Sequence, residues 1–213
     1  WGDTVARALS MLAAESLDGV TLASAAGSIQ AISQSLAGDP KVAHHLRVVP
    51  APLLVSSPEA ADLLRAEASV REVLDLASSA SVTLTGIGSA GPDASAVRSQ
   101  LVTPAEVTSF AAMGAVGDML GEWFDANGRI VSAATSSRRI GLGLDRLREM
   151  PNVVGVAGGR HKAEAVLGAI RGGFLKVLVT DENTAEELLA KGSVTAGAAR
   201  AATSARQGGR AAR

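Results

Sequence analysis

The chain has 213 residues and a formal charge of −1, and 47% of its residues are hydrophobic. This length and apolar content predict a folded protein with a buried core and exclude a largely disordered chain. The chain contains no tyrosine, three phenylalanines and two tryptophans, so it lacks an aromatic surface for stacking single-stranded nucleic acid. The absence of cysteine excludes disulfides and thiolate metal sites.

The histidines and the apolar runs exclude further classes. His44, His45 and His161 are not spaced like zinc ligands, so we expect no metal site, and nothing in the sequence calls for a cofactor. Apolar runs stay short of a membrane span and no signal peptide is evident, so we expect a cytoplasmic protein with no membrane partner. The chain begins at Trp1, and we expect it to be part of a longer protein.

The first third of the chain predicts helices separated by one strand. Apolar spacing predicts a helix over Val5–Glu15 and a second over Val20–Leu36, and His45–Pro50 is a short strand candidate. Ser57-Pro58-Glu59 has the pattern of an N-cap followed by proline at the first helical position. Ser69-Val70-Arg71-Glu72 matches a capping box, which predicts a helix running to about Ala77.

The middle of the chain predicts a strand, a helix and a hairpin. Ser81–Gly86 alternates as a strand does, and Thr103-Pro104-Ala105-Glu106 is a second capping box with a helix behind it. Asp125-Ala126-Asn127-Gly128 is a turn signal between the apolar runs Val116–Phe124 and Ile130–Ala133. We therefore predict a strand–turn–strand unit here.

The last third predicts alternating strands and helices. After a short helix over Gly143–Met150, the pattern gives a strand at 153–157, a helix at 161–171, a strand at 175–179 and a helix at 183–190. This alternation predicts an α/β fold with a mainly parallel sheet and helices on both faces. Residues 193–213 are rich in alanine, glycine, serine and arginine and are interpreted as a flexible basic tail.

Three glycine turns are candidates for anion binding. They are Gly2-Asp3-Thr4, Gly86-Ile87-Gly88-Ser89 and Gly158-Gly159-Arg160-His161-Lys162. Such turns collect at the carboxyl edge of a parallel sheet, where glycine lets a ligand approach the backbone closely. A helix N-terminus suits a phosphate. Lys162 is either a solvated lysine in the first helical turn or a cation that meets an anionic ligand, and the second is easier to explain because a cation here opposes the helix dipole.

The acidic residues are interpreted either as ligand-binding or catalytic carboxylates or as residues that stabilise turns and helix ends. Asp118, among apolar neighbours, is either a carboxylate that accepts hydrogen bonds from sugar hydroxyls or an ordinary turn aspartate. Asp125 is interpreted as turn chemistry, and Asp181-Glu182 as the N-cap of the last helix rather than a catalytic pair. No histidine has an acid–base partner visible in the sequence, so we predict no catalytic residues.

A combination of motifs reaches along most of the chain. These motifs are Trp1–Thr4, Ala51-Pro52-Leu53, Gly86-Ile87-Gly88, Gly114–Asp118, Phe124-Asp125 with Gly128, Gly155–Gly159 with Lys162-Ala163, and Thr180–Glu182 with Thr184-Ala185. The combination resembles the SorC family of bacterial transcriptional regulators up to about Ala190. The resemblance implies a Rossmann-like effector-binding domain over residues 1–192, with the fold of sugar-phosphate isomerases and glucosamine-phosphate deaminases.

The resemblance also implies a ligand, partners and site residues. The ligand would be a phosphorylated sugar, the assembly a homodimer or homotetramer, and operator DNA would bind to an N-terminal helix-turn-helix domain absent from this chain. The implied contacts are phosphate at Gly2, Asp3 and Thr4, phosphate or sugar at Gly158, Gly159 and Lys162, the cavity floor at Gly86 and Gly88, and sugar hydroxyls at Asp118.

Three functions remain open from the sequence. A sugar-phosphate sensor that is not an enzyme is favoured. An isomerase or deaminase is the alternative, but the Asp-Gly-His segment of similar deaminases is replaced here by Ala90-Gly91-Pro92-Asp93, and general acid–base chemistry needs more than one positioned titrating group. A domain that has lost ligand binding is the third reading.

Overall fold

The computed structural model describes residues 3–15, 17–29, 40–91 and 93–192. Its helices are α1 (Asp3–Glu15), α2 (Pro40–His45), α3 (Pro58–Ala66), α4 (Ala68–Ser78), α5 (Ser95–Arg98), α6 (Pro104–Ala112), α7 (Leu144–Glu149), α8 (Ala163–Arg171) and α9 (182–192). Its strands are β1 (Leu22–Ser28), β2 (Leu46–Pro52), β3 (Thr83–Gly86), β4 (Gly88–Ser89), β5 (Ala115–Met119), β6 (Glu122–Asp125), β7 (Val153–Val156) and β8 (Val177–Val179).

The strands form parallel and antiparallel groups. β1 pairs with β2 in parallel, and β3, β7 and β8 form a parallel sheet in the order β3-β7-β8. β4, β5 and β6 form an antiparallel group. The mixed α/β architecture with mainly parallel pairing that the sequence predicts is therefore confirmed.

Helices cover both faces of the β3-β7-β8 sheet. Thr83 pairs with Val153 and the two residues share a face, whereas Leu84, one residue along, points to the other. Val5 of α1 packs in a cluster with Leu84. Val166 of α8 packs in a different cluster with Val153. The two helices therefore lie on opposite faces of the same sheet.

The helix predicted over Val20–Leu36 is wrong across its first part. Leu22–Ser28 is strand β1, and residues 30–39 lie outside the described residues. The alanine-rich segment is recruited into a sheet because β2 supplies a parallel partner and the backbone N–H of Val49 donates to the buried Ser24 Oγ at 2.8 Å. Gly27 permits this approach, since a β-carbon there would lie 2.4 Å from the Pro52 carbonyl oxygen.

The two predicted capping boxes have different outcomes. The Thr103 box is confirmed: Thr103 Oγ1 accepts from the Glu106 N–H, and Glu106 Oε2 accepts from the Thr103 N–H. The Ser69 box is wrong, because α4 already begins at Ala68 and Glu67 occupies its N-cap position without a side-chain cap. The N-cap at Ser57, whose Oγ accepts from the Ala60 N–H, is confirmed.

The predicted hairpin is confirmed at its turn and wrong in its first arm, and its second arm, Ile130–Ala133, is a single bridge at Ile130 rather than a strand. The run Val116–Phe124 is two strands, β5 and β6, which are reversed at Leu120-Gly121. The Asp125–Gly128 turn brings Ile130 back against Phe124 in an isolated bridge. The remaining strands and helices that the sequence predicts are found close to their expected bounds.

Two further observations concern the class of protein. Among the described residues, no helix is long and apolar enough to cross a membrane. Within the same residues, no group of three or more histidine, aspartate or glutamate side chains is arranged to hold a metal ion. The predicted basic tail, residues 193–213, lies outside the described residues.

Candidate functional site

A cavity of about 370 Å³ opens where several parallel strands end. Ala26 and Gly27 of β1, Thr85 and Gly86 of β3, and Val156 of β7 line it. These residues lie at the carboxyl halves of their strands, which is the edge where open α/β sheets bind ligands. The volume is within the range of about 300–1,000 Å³ that is typical of small-molecule sites.

Lys162 supplies a cation to this cavity. It ends the 3₁₀ turn Arg160–Lys162 that leads into α8, and its side chain is half-buried. Its Nζ donates a hydrogen bond to the carbonyl oxygen of Ile87 at 3.2 Å. The ammonium group is therefore anchored to the loop between β3 and β4, whose Ile87 also lines the cavity.

Asp118 supplies a carboxylate to the same cavity. It lies on β5, pairs with Gly88 across the antiparallel ladder and is half-buried. Burial raises the pKa of Asp118 to about 6, although a hydrogen bond from the Gly121 backbone and the charge of Lys162 both favour its ionised form. Near neutral pH the cavity therefore presents one acceptor carboxylate together with the ammonium of Lys162.

Five of the predicted site residues meet at this cavity. Thr4, Gly86, Gly88, Asp118 and Lys162 all line it. Thr4 lies in the first turn of α1, so the start of that helix faces the same space. Of the other two residues of the first turn, Gly2 lies outside the described residues, and Asp3 is described only as the first residue of α1.

Gly158 and Gly159 of the predicted turn are not among the residues that line the cavity. Gly159 has a φ of 108°, and its backbone N–H donates to Asp181 Oδ2 and to Thr184 Oγ1, both at 2.8 Å. Gly158 is exposed, and a β-carbon there would lie 2.7 Å from Asp181 Oδ2. The amide of this turn is therefore hydrogen-bonded to Asp181, which precedes α9. Phosphate contact at Gly158 and Gly159 stays a prediction.

The remaining acidic predictions have clear outcomes. Asp181 Oδ1 accepts from the Thr184 N–H at 2.8 Å, which confirms Asp181 as the N-cap of α9. Asp125 Oδ1 accepts from the N–H groups of Asn127 and Arg129, which confirms its role in the turn. His44, His45 and His161 are not among the residues that line the cavity.

Four polar side chains that line the cavity were not predicted from the sequence. They are hydroxyl or basic side chains on β3 and around α5: Thr85, Ser95, Arg98 and Ser99. Ser95 and Ser99 are spaced i, i+4 on one helical turn, a pattern that follows the Gly86–Gly88 turn and could have been noticed. The missed Leu120 and Gly121 carried no such signal, because their position depends on the unforeseen β5–β6 reversal.

Comparison with known proteins places this chain in a family. The Sugar-bind family model, described as "Putative sugar-binding domain", matches residues 1–190. The chain is 43% identical over 149 residues to the transcriptional regulator LsrR of Klebsiella pneumoniae subsp. pneumoniae, an alignment that covers 68% of this chain and 46% of that protein. The chain thus spans about half the length of the curated relatives that it matches.

Solved structures agree with this assignment. A DeoR family transcriptional regulator from Listeria monocytogenes superposes with a TM-score of 0.71 and 25% identity, over 79% of this chain and 68% of that one. The sorbitol operon regulator SorC from Klebsiella pneumoniae shares the fold, with a TM-score of 0.67 and 22% identity over 81% of this chain and 62% of that one. The chain therefore belongs to the sugar-binding domain family of SorC-type transcriptional regulators.

Proposed function

We propose that the cavity binds a phosphorylated sugar and that the chain, over residues 1–192, is the effector-binding part of a cytoplasmic regulator without enzymatic activity. The observation that carries the proposal is that Lys162 and Asp118 line one cavity at the carboxyl edge of the parallel strands. An ammonium suits a phosphate, and a carboxylate accepts hydrogen bonds from sugar hydroxyls. One ligand with both groups satisfies both side chains.

The rest of the lining supports the same ligand. Thr4, Thr85, Ser95 and Ser99 offer hydroxyl groups, and Gly86, where a β-carbon would meet only the Val5 side chain at 3.7 Å, leaves its backbone accessible. Arg98, at the exposed rim, adds a second positive charge. A polar ligand that carries a negative charge fits this lining better than an apolar ligand does, because the polar groups would otherwise lose water without compensation.

In the regulator that we propose, ligand binding acts on DNA through a separate domain. We propose that operator DNA binds to a separate helix-turn-helix domain, that the protein is a homodimer or homotetramer, and that the ligand shifts the balance between two arrangements of its subunits. A ligand can shift such a balance only by binding one arrangement more tightly than the other. The regulator names of the relatives support this role.

An isomerase or deaminase of sugar phosphates is the second candidate. One observation favours it: the half-buried carboxyl of Asp118, whose pKa is raised to about 6, is poised to act as a general base. Against it, Asp118 is the one carboxylate in the cavity lining drawn from the described residues, and no histidine lines that cavity. A coupled assay for isomerisation or deamination, with Asp118→Asn as the comparison, separates the two candidates.

The direct test is calorimetric titration with a panel of sugar phosphates, the matching free sugars and inorganic phosphate. The variants are Lys162→Met and the control Lys176→Met, whose ammonium also donates to carbonyl oxygens but lies outside the cavity. We expect binding of one or more sugar phosphates, no binding of the free sugars, and loss of at least about tenfold in affinity in Lys162→Met alone.

Three results would contradict the proposal. Equal affinity for a sugar and its phosphate would mean that the cavity does not recognise the phosphate. No binding by a chain that melts cooperatively would favour a domain that has lost its ligand. Turnover of a sugar phosphate that Asp118→Asn abolishes would instead establish the enzyme.

A further inference from the structure

The reversal between β5 and β6 forms part of the cavity wall and has an unusual backbone. Leu120 and Gly121 both line the cavity, and both have positive φ angles, 53° and 74°. A two-residue hairpin turn with positive φ at both central positions is a type I′ turn, which favours asparagine and glycine. Leucine has no local side-chain hydrogen bond to offset this conformation, so contacts from outside the turn must hold it.

Arg139 makes those contacts. Its Nη1 donates to the carbonyl oxygen of Leu120 at 3.3 Å and to that of Leu142 at 3.0 Å. Its Nη2 lies 3.7 Å from Glu122 Oε2, the residue directly after the turn, and the two side chains are 7% and 15% exposed. The guanidinium therefore fixes both the carbonyl inside the turn and the strand that leaves it.

Glu122 extends this arrangement to the next helix. Its Oε2 accepts from the backbone N–H of Leu144 at 2.6 Å, at the start of α7. On the other side, the Arg65 guanidinium donates to the carbonyl oxygen of Arg139 at 2.7 Å. Arg139 is thus held at its backbone by α3 and at its head group by β6, so its position is restrained before any ligand binds.

A scaffold role alone does not explain a charge at this place. A buried ion pair is often no more stabilising than well-packed apolar side chains of similar volume. Moreover, the Nε of Arg139 is buried and has no hydrogen-bond partner among the described residues, which is unfavourable. What the guanidinium provides, and an apolar side chain could not, is a donor to the Leu120 carbonyl in its positive-φ conformation.

The turn matters to the cavity because its second residue contacts the carboxylate there. Gly121 lines the cavity together with Asp118, three residues earlier on β5, and its backbone favours the ionised form of that carboxylate. We infer that Arg139 is a positioning residue for the cavity: its guanidinium holds the Leu120–Gly121 turn in the conformation that presents the Gly121 amide to the Asp118 carboxylate. Its effect on ligand affinity rests on the proposed function, but its effect on the turn does not.

The experiment compares Arg139→Met with Arg138→Met in the 213-residue chain. Arg138 is a matched control, because it also donates to a carbonyl oxygen, that of Val55, and pairs with a glutamate, Glu106, at 3.7 Å, yet it does not contact the turn. The first measurement needs no ligand: the amide proton shift of Gly121 is followed by NMR from pH 4 to 8. An amide that donates to a carboxylate reports the ionisation of that carboxylate.

In the wild type and in Arg138→Met we expect the Gly121 amide to titrate together with Asp118. In Arg139→Met we expect a dispersed spectrum in which the Gly121 amide no longer follows that titration. The second measurement is the affinity for a sugar phosphate that the wild type binds, which we expect Arg139→Met to weaken about tenfold and Arg138→Met to leave within about twofold.

Each outcome decides the inference. An unchanged Gly121 titration in Arg139→Met, or the same loss in both variants, overturns it. Should Arg139→Met fail to fold, the comparison moves to Arg139→Lys and Arg138→Lys, since lysine keeps the charge but cannot span the Leu120 and Leu142 carbonyls as a guanidinium does. A wild type that binds no sugar phosphate sinks the proposed function, while the Gly121 titration still tests the role of Arg139.

Discussion

The α-carbon of Gly88 faces the carboxylate of Asp118 so closely that a β-carbon on Gly88 would lie 2.0 Å from Asp118 Oδ1. The two residues are partners in the β4–β5 ladder, and both line the cavity. The glycine therefore leaves the space that the carboxylate occupies. This contact, rather than any backbone strain, makes glycine necessary at this position.

Gly88→Ala is expected to impair the cavity without unfolding the domain. The added methyl group meets the end of a side chain that can rotate away, so Tm should fall by only a few degrees. Affinity for a sugar phosphate should fall at least about tenfold, because Asp118 is displaced. Calorimetric titration and a melting curve measure the two effects.

Gly91→Ala is the control for this substitution. A β-carbon on Gly91 would meet no atom within 4 Å. That variant should keep both its affinity and its Tm. Equal losses in the two variants would show that the strand region, and not the Gly88–Asp118 contact, is sensitive to substitution.

The pKa of Asp118, raised to about 6 by burial, predicts the pH dependence of stability. The folded state holds this proton more tightly than the unfolded state, where the pKa has its ordinary value of 3.8. The contribution of this group to the free energy of unfolding therefore falls as pH rises from about 4 to about 6 and stays low above that.

Asp118→Asn removes this penalty, so its stability relative to the wild type should increase across the same interval. The difference should reach up to about 3 kcal/mol near pH 7, from roughly 1.4 kcal/mol per pKa unit. Urea unfolding of both proteins at pH 4, 5, 6 and 7 measures it. A difference in the free energy of unfolding that does not change with pH would mean that the pKa of Asp118 is not raised in the folded state. In either case, Asp118→Asn should lose affinity for a sugar phosphate.

How far the cavity could be foreseen depends on the range of the interactions that build it. Gly86, Gly88 and Lys162 belong to strand ends and helix starts, which local patterns reveal, and all three line the cavity. The Gly158-Gly159 turn has the same local pattern, but its amide is satisfied by Asp181 from 22 residues further along. A glycine turn predicts an exposed amide and does not say which acceptor reaches it.

The fold shows the same limit at β1. The alanine content of Leu22–Ser28 favours a helix by intrinsic propensity, which amounts to a few tenths of a kcal/mol per residue. Pairing with β2 and the hydrogen bond from Val49 to Ser24 outweigh that preference. These contacts join segments more than 20 residues apart, so no local pattern contains them.

Asp181 joins the loop after β7 to the start of α9 by hydrogen bonds, and we expect these bonds to stabilise the fold. Its carboxylate accepts from the N–H groups of Gly159 and Thr184 and from the Thr184 hydroxyl, and these hydrogen bonds lower its pKa. Asp181→Ala removes them all, so we expect Tm to fall by about 2–4 °C. The loss should become smaller in acid, because the part of the stabilisation that lowers the pKa is present only while the carboxyl is ionised.

Asp181→Asn is the matched variant, since an asparagine oxygen can still cap α9 without a charge. It should lose less stability than Asp181→Ala and show less dependence on pH. Thermal melting from pH 3 to 7 compares the three proteins. An alanine variant as stable as the wild type at pH 7 would mean that water satisfies the Gly159 and Thr184 amides equally well.

The two capping-box sequences test whether the four-residue pattern alone predicts that the first side chain stabilises the helix. Thr103-Pro104-Ala105-Glu106 and Ser69-Val70-Arg71-Glu72 both match the capping box, but only the first forms it. Ser69 fails because Glu67 already takes the extended conformation that ends α3 and begins α4, which places Ser69 inside the first turn. Thr103→Ala should therefore lower the free energy of unfolding by about 1 kcal/mol.

Ser69→Ala should be neutral or slightly stabilising, because Ser69 is exposed and alanine has the higher helix propensity. Urea denaturation of the wild type and the two variants at pH 7 gives both values on one scale. Similar losses in both variants would mean that Ser69 caps α4 in solution and that the helix begins later than Ala68. A loss in Thr103→Ala alone would show that the residue at which the chain turns, and not the four-residue pattern, decides whether the hydroxyl stabilises the helix.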